Sequence, residues 1–471
     1  MKTLVTNCLC LAAINFAALW LGEAWLEWSS TRHPAGALLP LHLAVSFAGT
    51  LVWDRFSKTF LRMPGLAIHR EKTLPAAALT AVFGVVYYAT AVALGTRLSP
   101  GRMILVVGWQ VSATWLSLLV CRQYEAWPAT RRQKAVLARV LALTGGLLSC
   151  ALLIGVVETM SFLLLKSKPP GPVTAFEGDY LTPGAFYRHD DDLGTALEPN
   201  RNVHCRRLID GRQIWDVHYG TDEYGRRRTT MKPGSIPEHT AVFFGCSYMF
   251  GEGAEDSETI PSQFCELRPE YRAVNYGVPG YGTQQMLALL ESGILPSQTG
   301  GSVRLGVYLY LPEIHEARVV GDMDVVNGFA ADFPYYYMDQ NGSPVRAGSF
   351  VSGRPWSTLL YSVLGKSNTV SLLGLNFPRR SSRHFQLTAA TICRARDLFQ
   401  KQFPGSKLLV VRYPLPSHSS TVEICRSSNV SIIELPAEFD PGADVNVHRG
   451  DGHPTPTANR FVAERIAEAV E

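Results

Sequence analysis

Hydrophobic residues are distributed in two different ways along this chain of 471 residues. In the first third they form long runs, whereas after residue 180 short apolar runs alternate with polar turns. A helix needs roughly 20 apolar residues to cross a bilayer, and five stretches are long enough to be candidates. They are residues 4–26, 37–53, 74–94, 103–121 and 136–165. The pattern predicts a multi-span α-helical membrane region over residues 1–165, with five transmembrane helices.

Positive charges between these stretches predict the orientation of the spans. The loops 54–73 and 122–135 are rich in Lys and Arg, whereas the loops 27–36 and 95–102 carry far fewer. Positively charged loops stay in the cytoplasm, so everything after residue 166 should lie outside. We therefore expect a multi-pass protein of the bacterial inner (cytoplasmic) membrane, with its C-terminal domain in the periplasm. The net charge of +4 is small and clusters in these loops, so nucleic acid is not expected as a partner.

A linker rich in Pro and Lys, residues 166–179, follows the last apolar stretch. Its sequence K-S-K-P-P-G-P cannot continue a helix, because proline lacks the backbone donor and clashes with the preceding turn. Residues 180–239 then alternate short β-like runs with turns, as in R-Q-I-W-D-V-H-Y-G at residues 212–220. We interpret this segment as a small β-rich module.

From residue 240 to 471 strand and helix patterns alternate, which is typical of a parallel sheet covered by helices on both faces. The predicted strands are 241–244, 272–276, 303–311, 407–412 and 430–435. The predicted helices are 260–267, 284–292, 387–402 and 456–470. A long irregular insertion is predicted at 319–385, and its aromatic residues indicate an ordered lid or substrate wall. These aromatic residues are Phe333, Tyr335, Tyr336, Tyr337, Phe350 and Trp356.

Candidate chemistry lies where these strands end. Ser247 follows the first apolar run in a glycine-rich turn, G-C-S-Y-M-F-G-E-G, and is the candidate nucleophile; the alternative is an ordinary turn serine. The loop N-Y-G-V-P-G after the second strand contains Gly280, where backbone N–H groups can turn toward a ligand. Asp451 and His453 lie two residues apart before the last helix. A histidine beside an aspartate at such a loop can be the base of a Ser–His–Asp system.

These blocks together resemble the SGNH/GDSL hydrolase family, over about residues 180–471. The resemblance implies a three-layer α/β fold of the flavodoxin-like type, with Ser247 as nucleophile in G-C-S. It also implies His453 as base, Asp451 as its partner, and the N–H groups of Ser247 and Gly280 as the oxyanion hole. No cofactor and no metal are expected.

Two positions depart from the family pattern. Cys246 stands where the family has an aspartate, and its role as the nucleophile is the weaker alternative to Ser247. The third block, whose asparagine completes the oxyanion hole in the family, reads Y-L-P-E-I-H-E-A-R here and has no asparagine. His315 is a candidate replacement donor, and so is Arg318. The alternative is that both residues brace the insertion.

Three functions remain open at this stage. The first is a serine-dependent ester hydrolase that acts on acylated envelope glycans or lipids outside the cytoplasmic membrane. The second is an O-acyltransferase that uses the same triad to modify a polysaccharide. The third is a catalytically silent protein that binds carbohydrate or assists assembly. The expected partners are the acylated glycan or lipid and the cytoplasmic membrane, with envelope polysaccharide machinery as a further candidate.

Overall fold

The structure is a computed structural model that describes residues 154–300, 302–436 and 438–470. The chain divides into two compact units, Met1–Pro169 and Pro170–Glu471. In the first unit, helix α1 covers residues 154–166. The second unit contains the β-rich module and the parallel-sheet domain, and these form one compact body.

The membrane part of the predicted fold class is wrong on this structure. No helix among the described residues is both long and apolar enough to cross a bilayer. The predicted spans 4–26, 37–53, 74–94 and 103–121 lie outside the described residues, as does the first part of 136–165. The fold class is corrected to an α/β parallel-sheet domain with a β-rich module.

The second unit contains twelve strands among its described residues. The strands are β1 Thr174–Gly178, β2 Tyr187–Asp190, β3 Gly194–Leu197, β4 Asn202–Ile209, β5 Arg212–Gly220, β6 His239–Phe244, β7 Tyr271–Asn275, β8 Ser302–Tyr310, β9 Pro334–Met338, β10 Pro344–Ser349, β11 Lys407–Arg412 and β12 Ser431–Glu434. The helices are α2 Ser247–Phe250, α3 Ile260–Leu267, α4 Thr283–Ser292, α5 Leu295–Thr299, α6 Ile314–Val320, α7 Met323–Val325, α8 Phe350–Gly353, α9 Pro355–Leu364, α10 Asn368–Leu372, α11 Ser382–Gln402, α12 Thr421–Ser427 and α13 Pro456–Glu468. A 3₁₀ turn at Asp256–Glu258 and a π-helical turn at Val326–Ala330 complete the set.

Five parallel strands form the central sheet, in the order β12-β11-β8-β6-β7. Apolar side chains of β6 alternate between its faces: Val242 and Phe244 join one large core, and Ala241 and Phe243 join the other. A sheet buried on both faces needs such near-continuous apolar strands. The predicted parallel sheet is therefore present, and its carboxyl edge is where the loops after β6, β7, β8 and β12 meet.

The β-rich module contains a three-stranded antiparallel sheet in the order β1-β4-β5 and a separate β2–β3 hairpin. Strands β4 and β5 are joined by Asp210 and Gly211, which both have positive φ, of 49° and 73°. This pair matches the turn type that suits the twist of a hairpin. Strand β1 lies inside the residues predicted as a linker, so the folded module begins earlier than the sequence indicated.

The insertion between β8 and α11 is more regular than predicted. It contains the β9–β10 hairpin and several short helices, and it has a small core of its own. Phe333 and Phe350 are buried in that core, whereas Trp356 is 82% exposed. Phe333 and Phe350 therefore order the insertion from within, and Trp356 does not share that role.

Candidate active site

Ser247 is placed by the abrupt end of strand β6. At Gly245 a Cβ atom would lie 2.7 Å from Cβ of Met249, so only glycine permits the first turn of α2 to fold this closely against the strand end. Ser247 is the first residue of α2, and Gly251 ends that helix in the left-handed conformation. The serine thus lies at the carboxyl edge of the sheet, with its N–H at the amino end of a short helix.

The structure brings the three candidate catalytic residues together across more than 200 positions of sequence. His453 Nε2 lies 2.9 Å from Ser247 Oγ. The other ring nitrogen, Nδ1, is hydrogen-bonded to Asp451 Oδ2. Oγ, imidazole and carboxylate are therefore connected in series, in the arrangement that activates a serine hydroxyl.

The loop between β12 and α13 is folded so that Asp451 and His453 face Ser247. His448 N–H donates to the His453 carbonyl at 2.8 Å, and Asp451 N–H donates to the His448 carbonyl at 3.1 Å. Tyr248, the residue after the serine, donates from its hydroxyl to the Gly452 carbonyl at 2.8 Å. These contacts fix the loop both to itself and to the serine turn.

Arg207 of strand β4 binds the far side of the triad aspartate. Its Nε donates to Asp451 Oδ1 at 3.0 Å, and the side chains of Arg207 and Asp451 are 15% and 3% exposed. Burial acts to raise the pKa of Asp451, but its hydrogen bond to His453 and the charges of His453 and Arg207 lower it below its usual value. The aspartate is therefore held ionised, as a partner of an imidazolium must be.

A second carboxylate faces the histidine. Glu252 Oε2 lies 3.4 Å from His453 Nε2, and its side chain is 8% exposed. Burial acts to lower the pKa of His453, yet Glu252 first, and Asp451 after it, raise that pKa above its usual value. Trp215 of strand β5 packs edge-on against the imidazole, with ring centroids 5.9 Å apart.

The loop after β7 holds Gly280 and is fastened to the serine turn. Asn275 Nδ2 donates to the Met249 carbonyl at 2.9 Å, and Val278 N–H donates to the Gly245 carbonyl at 3.3 Å. Gly280 has φ of 90°. Within the described residues, the N–H groups of Ser247 and Gly280 donate to no protein acceptor. Both amides are therefore left for a ligand, as oxyanion donors require.

His315, the candidate third donor, lies on α6 and has no exposed surface. Its Nδ1 accepts hydrogen bonds from Leu311 N–H at 3.3 Å and from the Tyr308 hydroxyl at 2.7 Å. Burial, together with the charge of Arg318, lowers its pKa well below the usual value, so the ring is neutral. No described contact joins His315 to the triad, and its role as an oxyanion donor stays a prediction.

Arg318, the other candidate of the third block, contacts the Gly280 loop. Its Nη1 donates to the Tyr281 carbonyl at 2.7 Å, and its guanidinium lies 5.9 Å from the ring centroid of Phe329 in the insertion. A Cβ at Gly280 would lie 3.1 Å from the Phe329 ring. Arg318 and the insertion therefore form one wall beside the loop that carries the oxyanion donor.

Cys246, the alternative nucleophile, is 1% exposed and belongs to the apolar core on the face of the sheet that includes Phe243. It is consequently turned away from the position that Ser247 occupies. Among the described residues, no group of three or more His, Cys, Asp and Glu side chains could hold a metal ion. The prediction that neither cofactor nor metal is needed stays a prediction.

Sequence reasoning missed Glu252, Arg207 and Trp215 as parts of the site. Glu252 had a signal, since it stands between two glycines five residues after the serine. Arg207 had none, because nothing in its own stretch shows that β4 passes beside a loop 244 positions away.

Comparisons with known proteins gave matches among solved structures alone. No family model matches the chain, and no curated relative was found. A putative lipolytic protein of the G-D-S-L family from Desulfitobacterium hafniense is 8% identical, with a TM-score of 0.28, and the match covers 49% of this chain and 98% of that chain. An acetyl xylan esterase from the rumen bacterium Butyrivibrio proteoclasticus is 11% identical, with a TM-score of 0.30, covering 64% and 84%. A family two carbohydrate esterase from Cellvibrio japonicus is 9% identical, with a TM-score of 0.30, covering 64% and 98%.

The family resemblance rests on the sequence motifs. The chain resembles an SGNH/GDSL hydrolase. At TM-scores near 0.3 the matched structures carry no argument about chemistry. The chemistry is indicated instead by the chain's own residues: a serine at a strand end, a histidine and aspartate from the last loop, and two free amides, without the asparagine of the third block.

Proposed function

We propose that this chain is a serine-dependent ester hydrolase of the SGNH/GDSL type. The observation that carries the proposal is the hydrogen-bonded series from Ser247 Oγ through His453 to Asp451. Such a series has a single well-understood use, which is to make a serine hydroxyl nucleophilic toward an acyl carbonyl.

The reaction begins when Ser247 Oγ attacks the carbonyl carbon of the ester. The Oγ–H proton passes to His453 Nε2 as the Oγ–C bond forms, and the negative charge moves to the carbonyl oxygen. The N–H groups of Ser247 and Gly280 stabilise that oxygen. Asp451 keeps the proton of Nδ1 on the imidazole, and so favours the tautomer whose Nε2 can accept.

The tetrahedral intermediate then breaks its bond to the alcohol oxygen, which takes the proton from Nε2 as it leaves. Water next attacks the acyl-enzyme and gives a proton to Nε2. The intermediate then breaks its bond to Ser247 Oγ, which takes that proton back, and the acid departs. A sugar hydroxyl in place of water would give transfer by the same steps. We place hydrolysis first, because the described residues around His453 supply every group that the water step needs.

Acylated carbohydrate is the substrate class that we propose, with an acylated lipid as the alternative. Carbohydrate esterases among the matched structures are consistent with this class. A location outside the cytoplasm stays a prediction from the sequence, and a reporter fused after Pro172 tests it.

The deciding experiment combines covalent labelling with product analysis on the full chain. A fluorophosphonate probe should label the parent at Ser247 and fail on Ser247→Ala, which should also release acetate or longer acids from acylated glycan at least ~10⁴-fold more slowly. The double change Ser247→Ala with His453→Ala should cost no more than either change alone, because the two residues act as a unit.

Labelling that persists in Ser247→Ala, or that moves to Cys246, would contradict the serine assignment. A folded parent that neither labels nor releases acid would favour the silent binding protein. Acyl groups that reach an added oligosaccharide faster than they reach water would favour the transferase.

A further inference from the structure

The segment G-E-G, Gly251–Glu252–Gly253, is built to hold one side chain against the catalytic histidine. Both glycines have φ of 84°. A Cβ at Gly251 would lie 2.6 Å from Cγ2 of Thr259, and one at Gly253 would lie 2.9 Å from Nε2 of His448. Any other residue would be strained at either position and would also collide. The turn therefore points Glu252 inward, and it can do so only because both flanking residues are glycine.

Glu252 has no role in the triad, yet its carboxylate is buried within reach of the histidine. Its Oε2 is 3.4 Å from the same Nε2 that accepts the serine proton. The side chain is 8% exposed, so little of the carboxylate faces solvent. A buried carboxylate is costly unless a charge or a donor compensates it, and His453 is the group placed to do so.

The β-rich module closes the other side of this carboxylate. The Tyr187 hydroxyl donates to the Tyr180 hydroxyl at 2.6 Å, and Tyr180 acts to lower the pKa of Glu252. The titratable and charged groups that face Glu252 and His453 come from the module, from α2 and from the last loop. They are Tyr180, Tyr187, Cys205, Arg207, Tyr219, Tyr248, His448 and Asp451.

We propose that Glu252 is a positioning residue for the reaction, whose carboxylate stabilises the imidazolium that forms when His453 takes the Ser247 proton. Nδ1–H then faces Asp451, and Nε2–H lies between Ser247 Oγ and Glu252. The histidine is thus held between two carboxylates rather than one. This inference rests on the proposed function, because it assigns Glu252 to the proton transfer of that reaction.

Charge and burial act on this pair in a definite direction. Burial, the largest influence, raises the pKa of Glu252, and the neighbouring His453 opposes that rise. Glu252 in turn is the largest influence that raises the pKa of His453. Without the carboxylate, His453 should lose its proton at lower pH. An opposite charge within 4–6 Å typically moves a pKa by about 1–3 units.

The test is Glu252→Gln in the full chain, with two readouts. The first is the NMR titration of the His453 ring, identified by its absence in His453→Asn. The second is the pH dependence of fluorophosphonate labelling at Ser247. We expect the His453 midpoint to fall by about 1–3 units. The acidic limb of labelling should move to lower pH by the same amount, while labelling at high pH becomes slower because the imidazolium is less stabilised.

Two further variants test whether the shift is specific to Glu252. Glu266→Gln on α3 removes the same charge from a carboxylate whose described electrostatic neighbour is Cys265, and it should leave both midpoints unchanged. Tyr180→Phe removes an influence that lowers the pKa of Glu252, so Glu252 is charged less of the time and the His453 midpoint should shift in the same direction by a smaller amount. It also serves if Glu252→Gln does not fold.

An unchanged His453 midpoint in folded Glu252→Gln would overturn the inference and leave Glu252 as a packing residue. The inference would also be overturned if Tyr180→Phe, like Glu266→Gln, left the His453 midpoint unchanged. A parent that never labels, combined with a lowered midpoint in Glu252→Gln, would contradict the proposed function while the pairing of Glu252 with His453 still stands.

Discussion

Two buried carboxylates lie in segments that follow strands of the parallel sheet, and their hydrogen-bond networks differ. Asp451 is held by Arg207 and His453, and the series it begins ends at Ser247 Oγ. Glu316, on α6, accepts from the hydroxyl of Thr421 at 2.7 Å and from the N–H of Glu313 at 3.0 Å. The hydroxyls of Tyr310 and Ser419 also donate to it.

The difference shows where polar groups are kept free for a ligand. The carboxylate of Glu316 accepts from four donors inside the protein, and its side chain has no exposed surface. Around Asp451 the network stays open at Oγ and at two amides. Burial of polar groups alone therefore does not mark a functional site. What marks this one is a network whose last members have no partner in the protein.

A change at Gly280, in the loop after β7, should have the largest effect on turnover. Gly280→Ala places a side chain at φ of 90°, where its Cβ meets the Phe329 ring at 3.1 Å. The backbone must shift, so the amide leaves its position and turnover should fall by about 10²–10³-fold, as on loss of one oxyanion donor. Initial rates on an activated acyl ester measure this.

Gly293→Ala is the matched control for that substitution. Gly293 also has positive φ, of 68°, but a Cβ there meets nothing within 4 Å. Its backbone strain should lower stability alone, leaving turnover near that of the parent. Equal losses of turnover in the two variants would mean that Gly280 matters for folding and not for the oxyanion.

Arg207, which binds the far side of Asp451, should have a smaller effect on turnover. Arg207→Gln removes a charged donor to buried Asp451, a hydrogen bond worth about 1.5–3 kcal/mol, so turnover should fall by roughly tenfold or more. Arg206→Gln, the neighbouring control, breaks an exposed ion pair with Glu177 at 2.5 Å. Such pairs contribute little, so its kinetics should match the parent. If the two variants have the same kcat and KM, Arg207 has no part in catalysis.

The buried region around Glu316 should give the smallest effect on turnover. His315 packs beside the Glu316 network and has no exposed surface, so it cannot reach a substrate without a rearrangement. His315→Ala should leave turnover within about threefold of the parent and lower the free energy of unfolding by about 1–3 kcal/mol through the lost buried hydrogen bonds. Thermal melting and steady-state kinetics separate these outcomes. A large drop in kcat with an unchanged melting temperature would instead make His315 an oxyanion donor.

Much of the sheet could be predicted because its strands carry strong local signals. Apolar runs bounded by glycine or by polar turns indicate β6, β8 and β11, and helix α3 begins and ends where the pattern put it. Ser247, Asp451 and His453 could be found for the same reason, since each lies beside an unmistakable strand or helix boundary.

The remaining parts of the site depend on tertiary register. In strand β4 the adjacent residues Arg206 and Arg207 are of the same type, so the sequence does not show which of the two faces the interior. The short strands of the insertion alternate too briefly to stand out from loops. Which arginine meets Asp451 is decided by the packing of β4 against a distant loop, and no local pattern encodes that packing. The long apolar runs of the first third led to the membrane prediction, which the described helices contradict.

The contact between Arg207 and Asp451 has a consequence for how the protein is made. During synthesis Arg207 emerges first, Ser247 follows, and Asp451 and His453 emerge some 200 positions later. Domains generally fold as units, so a growing chain carries an unactivated serine hydroxyl until its last loop docks. The paired state of the Ser247 hydroxyl is thus a property of the finished fold, because an incomplete chain lacks His453 and Asp451.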